Sequence, residues 1–187
     1  MLLKELNIIL DKVNLSPNDF DVFIETGSYI GETLGQVKSS FKKLISIEIT
    51  DKYYKICSDK FASDDNVELV KGDCVKELPK LIKEYNNDRV LFFLDGHYSA
   101  GDTGKNEMDV PLIEELKLIN NLQEKSALII IDDADLFEFK DQYLSWGGIN
   151  EENILNAIDG RIEEYFYVEN IKPSNKKKRL IIKLKNK

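Results

Sequence analysis

Five short, almost uninterrupted apolar runs recur along the chain with helical stretches between them, and this alternation is the strongest constraint on how it folds. The runs are Val22–Glu25, Leu44–Ile49, Val67–Val70, Val90–Asp95 and Leu128–Asp132. A strand that is apolar on both sides must be covered on both sides, which is the condition of a parallel strand buried between helices. The intervening segments Glu32–Ser39, Asp51–Phe61, Val75–Tyr85 and Val110–Leu122 have apolar positions at helical spacing; Leu112, Ile113, Leu116 and Ile119, for example, share one face. After Asp133 the pattern changes. A polar and aromatic stretch from Phe137 to Asn150 contains Trp146, Gly147 and Gly148, and a helix is expected near Glu151–Ile158. Two strand-like segments, Glu164–Val168 and Leu180–Leu184, are joined by a polar turn with Pro173, Ser174 and Asn175. That link is too short for a helical crossover, so these strands are expected to be antiparallel neighbours. The expected fold class is α/β: a seven-stranded, mostly parallel sheet with helices on both faces and a C-terminal antiparallel hairpin. With 187 residues and 42% hydrophobic content, one domain over residues 1–187 is expected.

Several classes of protein are disfavoured by composition. No stretch reaches the ~18 apolar residues of a membrane span, and Lys4, Glu5, Asp11 and Lys12 interrupt the N-terminal apolar run. A cytoplasmic protein without membrane contact is therefore expected. Cys57 and Cys74 are too few and too far apart for a redox pair or a zinc cluster. A net charge of −8 and a pI near 4.9 argue against a nucleic-acid partner, because phosphate binding draws on Lys and Arg. The one basic block, Lys172, Lys176, Lys177, Lys178, Arg179, Lys183, Lys185 and Lys187, reads as a solvated hairpin end, with an anion site as the alternative.

The residues that carry chemistry cluster at strand ends. The first strand runs into Glu25-Thr26-Gly27-Ser28-Tyr29-Ile30-Gly31-Glu32-Thr33 and then a helix, so glycines stand where backbone turns sharply and approaches a nucleotide-like ligand. The Gly-x-x-x-Gly spacing lacks the middle glycine of the dinucleotide fingerprint, which disfavours NAD. Glu48 ends the second strand 21 residues beyond Gly27, where a carboxylate can accept both hydrogen bonds of a ribose diol. Asp73, in Gly72-Asp73-Cys74, either accepts from an exocyclic amine such as that of adenine or caps the next helix.

The glycine segment, Ile47-Glu48-Ile49 and Gly72-Asp73 resemble, in order and interval, the first three motifs of class I S-adenosylmethionine-dependent O-methyltransferases, a Rossmann-like family; the similarity runs from about Asp21 to Asp133. This resemblance implies that Glu25, Thr26, Gly27, Ser28, Gly31, Thr33, Glu48, Asp73, Cys74 and Asp95 hold S-adenosylmethionine.

Leu94-Asp95-Gly96-His97-Tyr98 ends the fourth strand and holds the chain's single histidine. Imidazole is the side chain best poised to take a proton near neutral pH, so His97, beside Asp95, is the candidate general base; a merely structural histidine is the alternative. The fifth strand ends in Asp132-Asp133, next to Asp95 if the strands are adjacent. Three converging carboxylates need protons or a hard cation. The pattern is similar to the metal-dependent catechol-type and antibiotic-sugar O-methyltransferases, which implies Mg2+ on Asp95, Asp132 and Asp133. Tyr98 stands where the catechol-type enzymes have a Lys base, which points away from catechols and toward a sugar diol. The loop Ser99–Glu107, with Tyr143, Trp146 and Gly147-Gly148, is expected to shape the acceptor pocket. No Asn/Asp-Pro-Pro-Tyr motif follows the fourth strand, which favours oxygen over nitrogen as the acceptor atom. The expected partner is a small-molecule or sugar acceptor, with a homodimer allowed. A non-catalytic adenosyl-binding module, or an enzyme using NAD or a nucleotide sugar, is the rival reading.

Overall fold

The structure is a computed structural model and describes residues 1–97, 110–140, 145–169 and 178–187. Seven strands form one sheet in the order β3-β2-β1-β4-β5-β7-β6. They are β1 (Val22–Thr26), β2 (Leu44–Glu48), β3 (Val67–Lys71), β4 (Val90–Leu94), β5 (Ala127–Ile131), β6 (Ile162–Glu169) and β7 (Lys178–Leu184). The first five are mutually parallel, while β7 runs antiparallel to β5 and β6 antiparallel to β7. The expected fold class is the observed one.

Every residue of β1, β2, β4 and β5 is buried, which is why these segments read as unbroken apolar runs. Alternate residues feed two cores. Val22 and Ile24 face α4 (Cys74–Glu84), α5 (Leu112–Leu122) and α6 (Glu151–Ala157); Phe23 faces α1 (Leu3–Lys12), α2 (Glu32–Val37) and α3 (Asp51–Lys60). Helix α1 is absent from the sequence expectation, although Leu6, Ile9, Leu10 and Val13 are all buried at helical spacing. Its start is stabilised by Glu5, whose carboxylate accepts the Leu2 N–H at 2.8 Å. Helix α5 begins at Leu112 rather than Val110 because Pro111 disfavours helical backbone at the residue before it.

The order reverses between β1 and β4: β2 and β3 lie on one side, β4 and β5 on the other. In open α/β sheets the crevice at such a reversal, outside the carboxyl ends of the strands, is where ligands bind. The ends of β1, β2, β4 and β5 carry the residues singled out above. Tyr98, the Ser99–Glu107 loop, Tyr143 and the basic-turn residues Lys172, Pro173, Ser174, Asn175, Lys176 and Lys177 lie outside the described residues. No described helix is long and apolar enough to cross a membrane.

Candidate functional site

The glycine segment turns between β1 and α2 through residues with left-handed backbone: Gly27 (φ +84), Tyr29 (φ +47) and Gly31 (φ +67). Gly27 donates its N–H to Ile47 O at 2.9 Å, and an added Cβ would lie 2.5 Å from Asp95 O. The loop is therefore pressed directly onto the backbone of the β4 end. At Gly31 a Cβ would meet the Phe61 ring at 2.6 Å. The half-exposed Tyr29 ring leans on Tyr53 with centroids 4.5 Å apart.

Glu48 is buried with both oxygens engaged. Oε2 accepts the Tyr29 N–H at 2.9 Å, and Oε1 accepts the Thr50 N–H at 2.8 Å and the Thr50 hydroxyl at 2.6 Å. A carboxylate offers about four acceptor positions, so only one remains beside these. Accepting two further bonds, as a diol would offer, requires the Thr50 hydroxyl to turn away. Asp73 caps α4 by accepting the Val75 N–H at 3.0 Å, so one of its two expected roles is observed.

Glu25 points into the fold, accepting from the Ser46 hydroxyl, which is itself 2.6 Å from the Ser28 hydroxyl. Burial pushes its carboxyl up to about 8, with the Ser46 hydrogen bond opposing. The folded protein thus holds a proton that the unfolded chain releases near 4.5. The stabilisation that goes with this proton is complete below pH 4.5 and is lost as the pH rises toward about 8. Urea unfolding is expected to show wild-type stability falling between about pH 6 and pH 8 by ~2 kcal/mol more than that of Glu25→Gln. Equal slopes would mean that Glu25 is ionised in the fold. Thr33, at the first turn of α2, accepts from the Met1 ammonium at 2.8 Å.

Leu94 and Ile131 pair across β4 and β5, and the Asp132 N–H donates to Leu94 O at 3.1 Å, so the two strand ends lie side by side. The three carboxylates do converge, and protein cations meet them. His97 Nε2 is 3.3 Å from Asp133 Oδ2, and Nδ1 is 3.6 Å from Asp95 Oδ1. Arg179 on β7 places Nε 2.8 Å from Asp132 Oδ1 and Nη1 3.3 Å from Glu5 Oε2. Burial alone would depress the His97 pKa; the Asp133 hydrogen bond and the charges of Asp95, Asp133 and Asp132 outweigh it, so the net shift is upward. Burial and then the Asp132 charge raise Asp95 to about 7.

This arrangement corrects two expectations. Arg179 is not part of a solvated basic block: it is buried, with 4% of its surface exposed. Nor do Asp95, Asp132 and Asp133 fit Mg2+, because a guanidinium and an imidazole already occupy the positions from which a cation would neutralise them. Among the described residues no group of three or more His, Cys, Asp or Glu side chains is arranged to hold a metal ion.

Trp146 packs its indole against the His97 ring at 4.8 Å. Together with Leu94, Gly96, Pro111, Leu112, Glu115, Ile131 and Asp132, these two line a small cleft with room for about one water molecule. Glu115, on α5, escaped the sequence reading. It is 1% exposed and lies beside the Cys74 thiol and the Thr26 hydroxyl. Its signal is an acid between Leu112 and Ile119 on the apolar face of the helix. Burial raises its carboxyl pKa, and burial together with the Glu115 charge raises that of the Cys74 thiol.

No family model matches the chain. Over 83 residues, 44% of its length, it is 30% identical to the probable ribosomal RNA small subunit methyltransferase A of Methanosarcina barkeri (strain Fusaro / DSM 804); the chain spans 28% of that protein. The structure superposes on an S-adenosylmethionine-dependent methyltransferase from Clostridium acetobutylicum ATCC 824 with a TM-score of 0.58 at 14% identity, covering 97% of this chain and 91% of that one. The fold is that of the S-adenosylmethionine-dependent methyltransferases. An rRNA methylase from Streptococcus thermophilus matches with a TM-score of 0.57 at 16% identity, covering 100% of this chain and 99% of that one. Within this methyltransferase fold, the glycine loop, Glu48 and Asp73 occupy the carboxyl ends of the first three strands in the sequential order expected. The expectation of a small-molecule or sugar acceptor with no nucleic acid is overturned by the ribosomal RNA methyltransferase among the relatives. Net charge sums over the whole surface, whereas binding a nucleic-acid strand needs positive potential only along its path, so an acidic balance does not exclude such a partner.

Proposed function

We propose that this chain is an S-adenosylmethionine-dependent methyltransferase acting on RNA, with residues 1–187 as its catalytic domain. The carrying observation is the arrangement at the β1–β2 edge, where the Gly27 turn is locked against Asp95 backbone and Glu48 spans Tyr29 and Thr50. The acceptor class rests on the matched ribosomal RNA methyltransferase.

In this reading the cofactor supplies an electrophilic sulfonium methyl group. Glu25 meets its amino group and gives up the buried proton, Glu48 and Thr50 take the ribose hydroxyls, and Asp73 with the backbone at Cys74 borders the adenine. Gly27, Ser28, Gly31 and Thr33 keep the loop close, with Thr26 behind it. An oxygen nucleophile is favoured by the absence of the amino-methylating motif, which makes a ribose hydroxyl of RNA the acceptor atom. His97 accepts its proton, with Asp133 and Asp95 holding the imidazole; such a base is effective only above its raised pKa.

The experiment is transfer of tritiated methyl from S-adenosylmethionine to small-subunit ribosomal RNA, with His97→Ala in parallel. RNA-bound label that disappears in His97→Ala, with S-adenosylhomocysteine binding retained, is the expected result. Cofactor binding without label in RNA would overturn the acceptor class.

A further inference from the structure

The last turn of α3, with the Phe61 that follows it, packs on the glycine loop and engages three successive carbonyls. The Cys57 thiol donates to Tyr29 O at 3.1 Å, and the Lys60 ammonium donates to Ile30 O at 2.9 Å and to Gly31 O at 2.8 Å. The Phe61 ring closes the same contact: a Cβ on Gly31 would lie 2.6 Å from it and 3.2 Å from Cys57 Sγ. Positions 57, 60 and 61 stand at the i, i+3, i+4 spacing of one helix face, which is why a single turn reaches all three peptides.

The stretch held in this way is the strained part of the loop. Tyr29 (φ +47) and Gly31 (φ +67) both have left-handed backbone, and for a residue as bulky as Tyr29 that conformation persists only where its surroundings over-determine it. The N–H groups of the same two residues are directed elsewhere, Tyr29 to Glu48 Oε2 at 2.9 Å and Gly31 to Ser28 O at 2.8 Å. Burial, then the charges of Glu25 and Glu48, push the Cys57 thiol up to about 11, so it keeps its proton and stays a donor at neutral pH. Lys60 is exposed, and its charge stands at the C-terminal end of α3, where the helix dipole favours a cation. So exposed a contact adds little to global stability, whereas the local shape of the loop depends on it.

We infer that Lys60 and Cys57 are positioning residues of the cofactor site: by holding the carbonyls of Tyr29, Ile30 and Gly31 against α3, they keep the glycine loop in the shape that lays the Tyr29 N–H on Glu48 and Gly27 on the end of β4. Neither side chain touches the cofactor; both act through the loop backbone. Without them the loop spends part of its time outside that shape, and the apparent affinity falls with the competent fraction. This inference rests on the proposed S-adenosylmethionine site.

The test pairs calorimetric titration with S-adenosylhomocysteine with amide hydrogen exchange of the ligand-free protein, read by NMR at Tyr29 and Gly31. Lys60→Met, which keeps most of the stem and loses the ammonium, is expected to bind about tenfold more weakly, as when the competent loop falls to about a tenth of the population. Its Tyr29 and Gly31 amides are expected to exchange several times faster, while the Phe92 amide in β4 and the melting temperature stay as in the wild type. Lys60→Arg, which keeps a forked donor, restores both readings. Cys57→Ser, which keeps a donor, is expected to hold the exchange rates nearer the wild type than Cys57→Ala does. Unchanged affinity and unchanged exchange in Lys60→Met overturn the positioning role. Weaker binding without faster exchange makes Lys60 a direct ligand contact and overturns it too. A wild type that binds no S-adenosylhomocysteine, with exchange still faster in Lys60→Met, upholds the hold on the loop and overturns the cofactor reading instead.

Discussion

Gly27→Ala is expected to lower S-adenosylhomocysteine affinity about a hundredfold or more, equivalent to roughly 3 kcal/mol of binding, while the sheet still forms. Two costs act together. At φ +84 the backbone is in the left-handed region, where an L side chain is strained. The added Cβ would also sit 2.5 Å from Asp95 O, 2.9 Å from Asp95 C and 3.1 Å from Gly96 Cα. All three are backbone atoms at the end of a central strand, so no rotamer change relieves the contact. The loop must lift off β4, which breaks the bond from Gly27 N–H to Ile47 O and moves Tyr29 N–H away from Glu48. A stability loss of about 2–4 kcal/mol should accompany the binding loss. Gly148→Ala is the control: it has φ +82 but no atom within 4 Å of the added Cβ, so it carries the backbone strain without the clash. If Gly27→Ala binds as tightly as the wild type, the close approach of loop and strand end is not what shapes the site.

Arg179→Met is expected to cost ~3–5 kcal/mol of folding stability, the usual penalty for breaking a buried ion pair from one side. The guanidinium ties α1, through Glu5, to the end of β5, through Asp132, and both carboxylates are buried with it. Removing the cation leaves two acids facing each other beside Asp133 and His97. Removing the charges together, in Arg179→Met with Glu5→Gln and Asp132→Asn, should recover most of the loss, since the penalty comes from the unpaired charge. The same geometry predicts that EDTA changes neither the melting temperature nor the S-adenosylhomocysteine affinity of the wild type. Stabilisation of the wild type by millimolar Mg2+ would contradict Arg179 as the resident counter-charge of Asp132.

Much of this architecture was legible because burial on both faces leaves an unmistakable trace. Leu91, Phe92 and Phe93 are apolar in succession since α1 and α5 lie on opposite sides of β4, and Leu128–Ile131 repeats the pattern. The glycine loop, Glu48 and Asp73 were legible from order and spacing. Arg179 was not, because its neighbours Lys177 and Lys178 in sequence suggest solvent, whereas pairing of Leu180 with Ile131 carries it to the buried end of β5. The mistaken metal site has the same origin: the acids at 95, 132 and 133 are visible in sequence, but their counter-charge comes from a strand 46 residues beyond Asp133. Glu115 is hidden by a helix whose periodicity invites one to count only its apolar members. The regular apolar stripe Leu6, Ile9, Leu10 and Val13 is the trace that helix α1 leaves in the sequence.

The most direct test of the central claim is calorimetric titration of the purified protein with S-adenosylhomocysteine near pH 7 in two buffers of different ionisation enthalpy. Binding in the micromolar range is predicted, with release of close to one proton as Glu25 ionises against the ligand's amino group; Glu25→Gln should bind more weakly and release none. A folded wild-type protein that shows no heat with S-adenosylhomocysteine, yet binds NAD or a nucleotide sugar, would contradict the account.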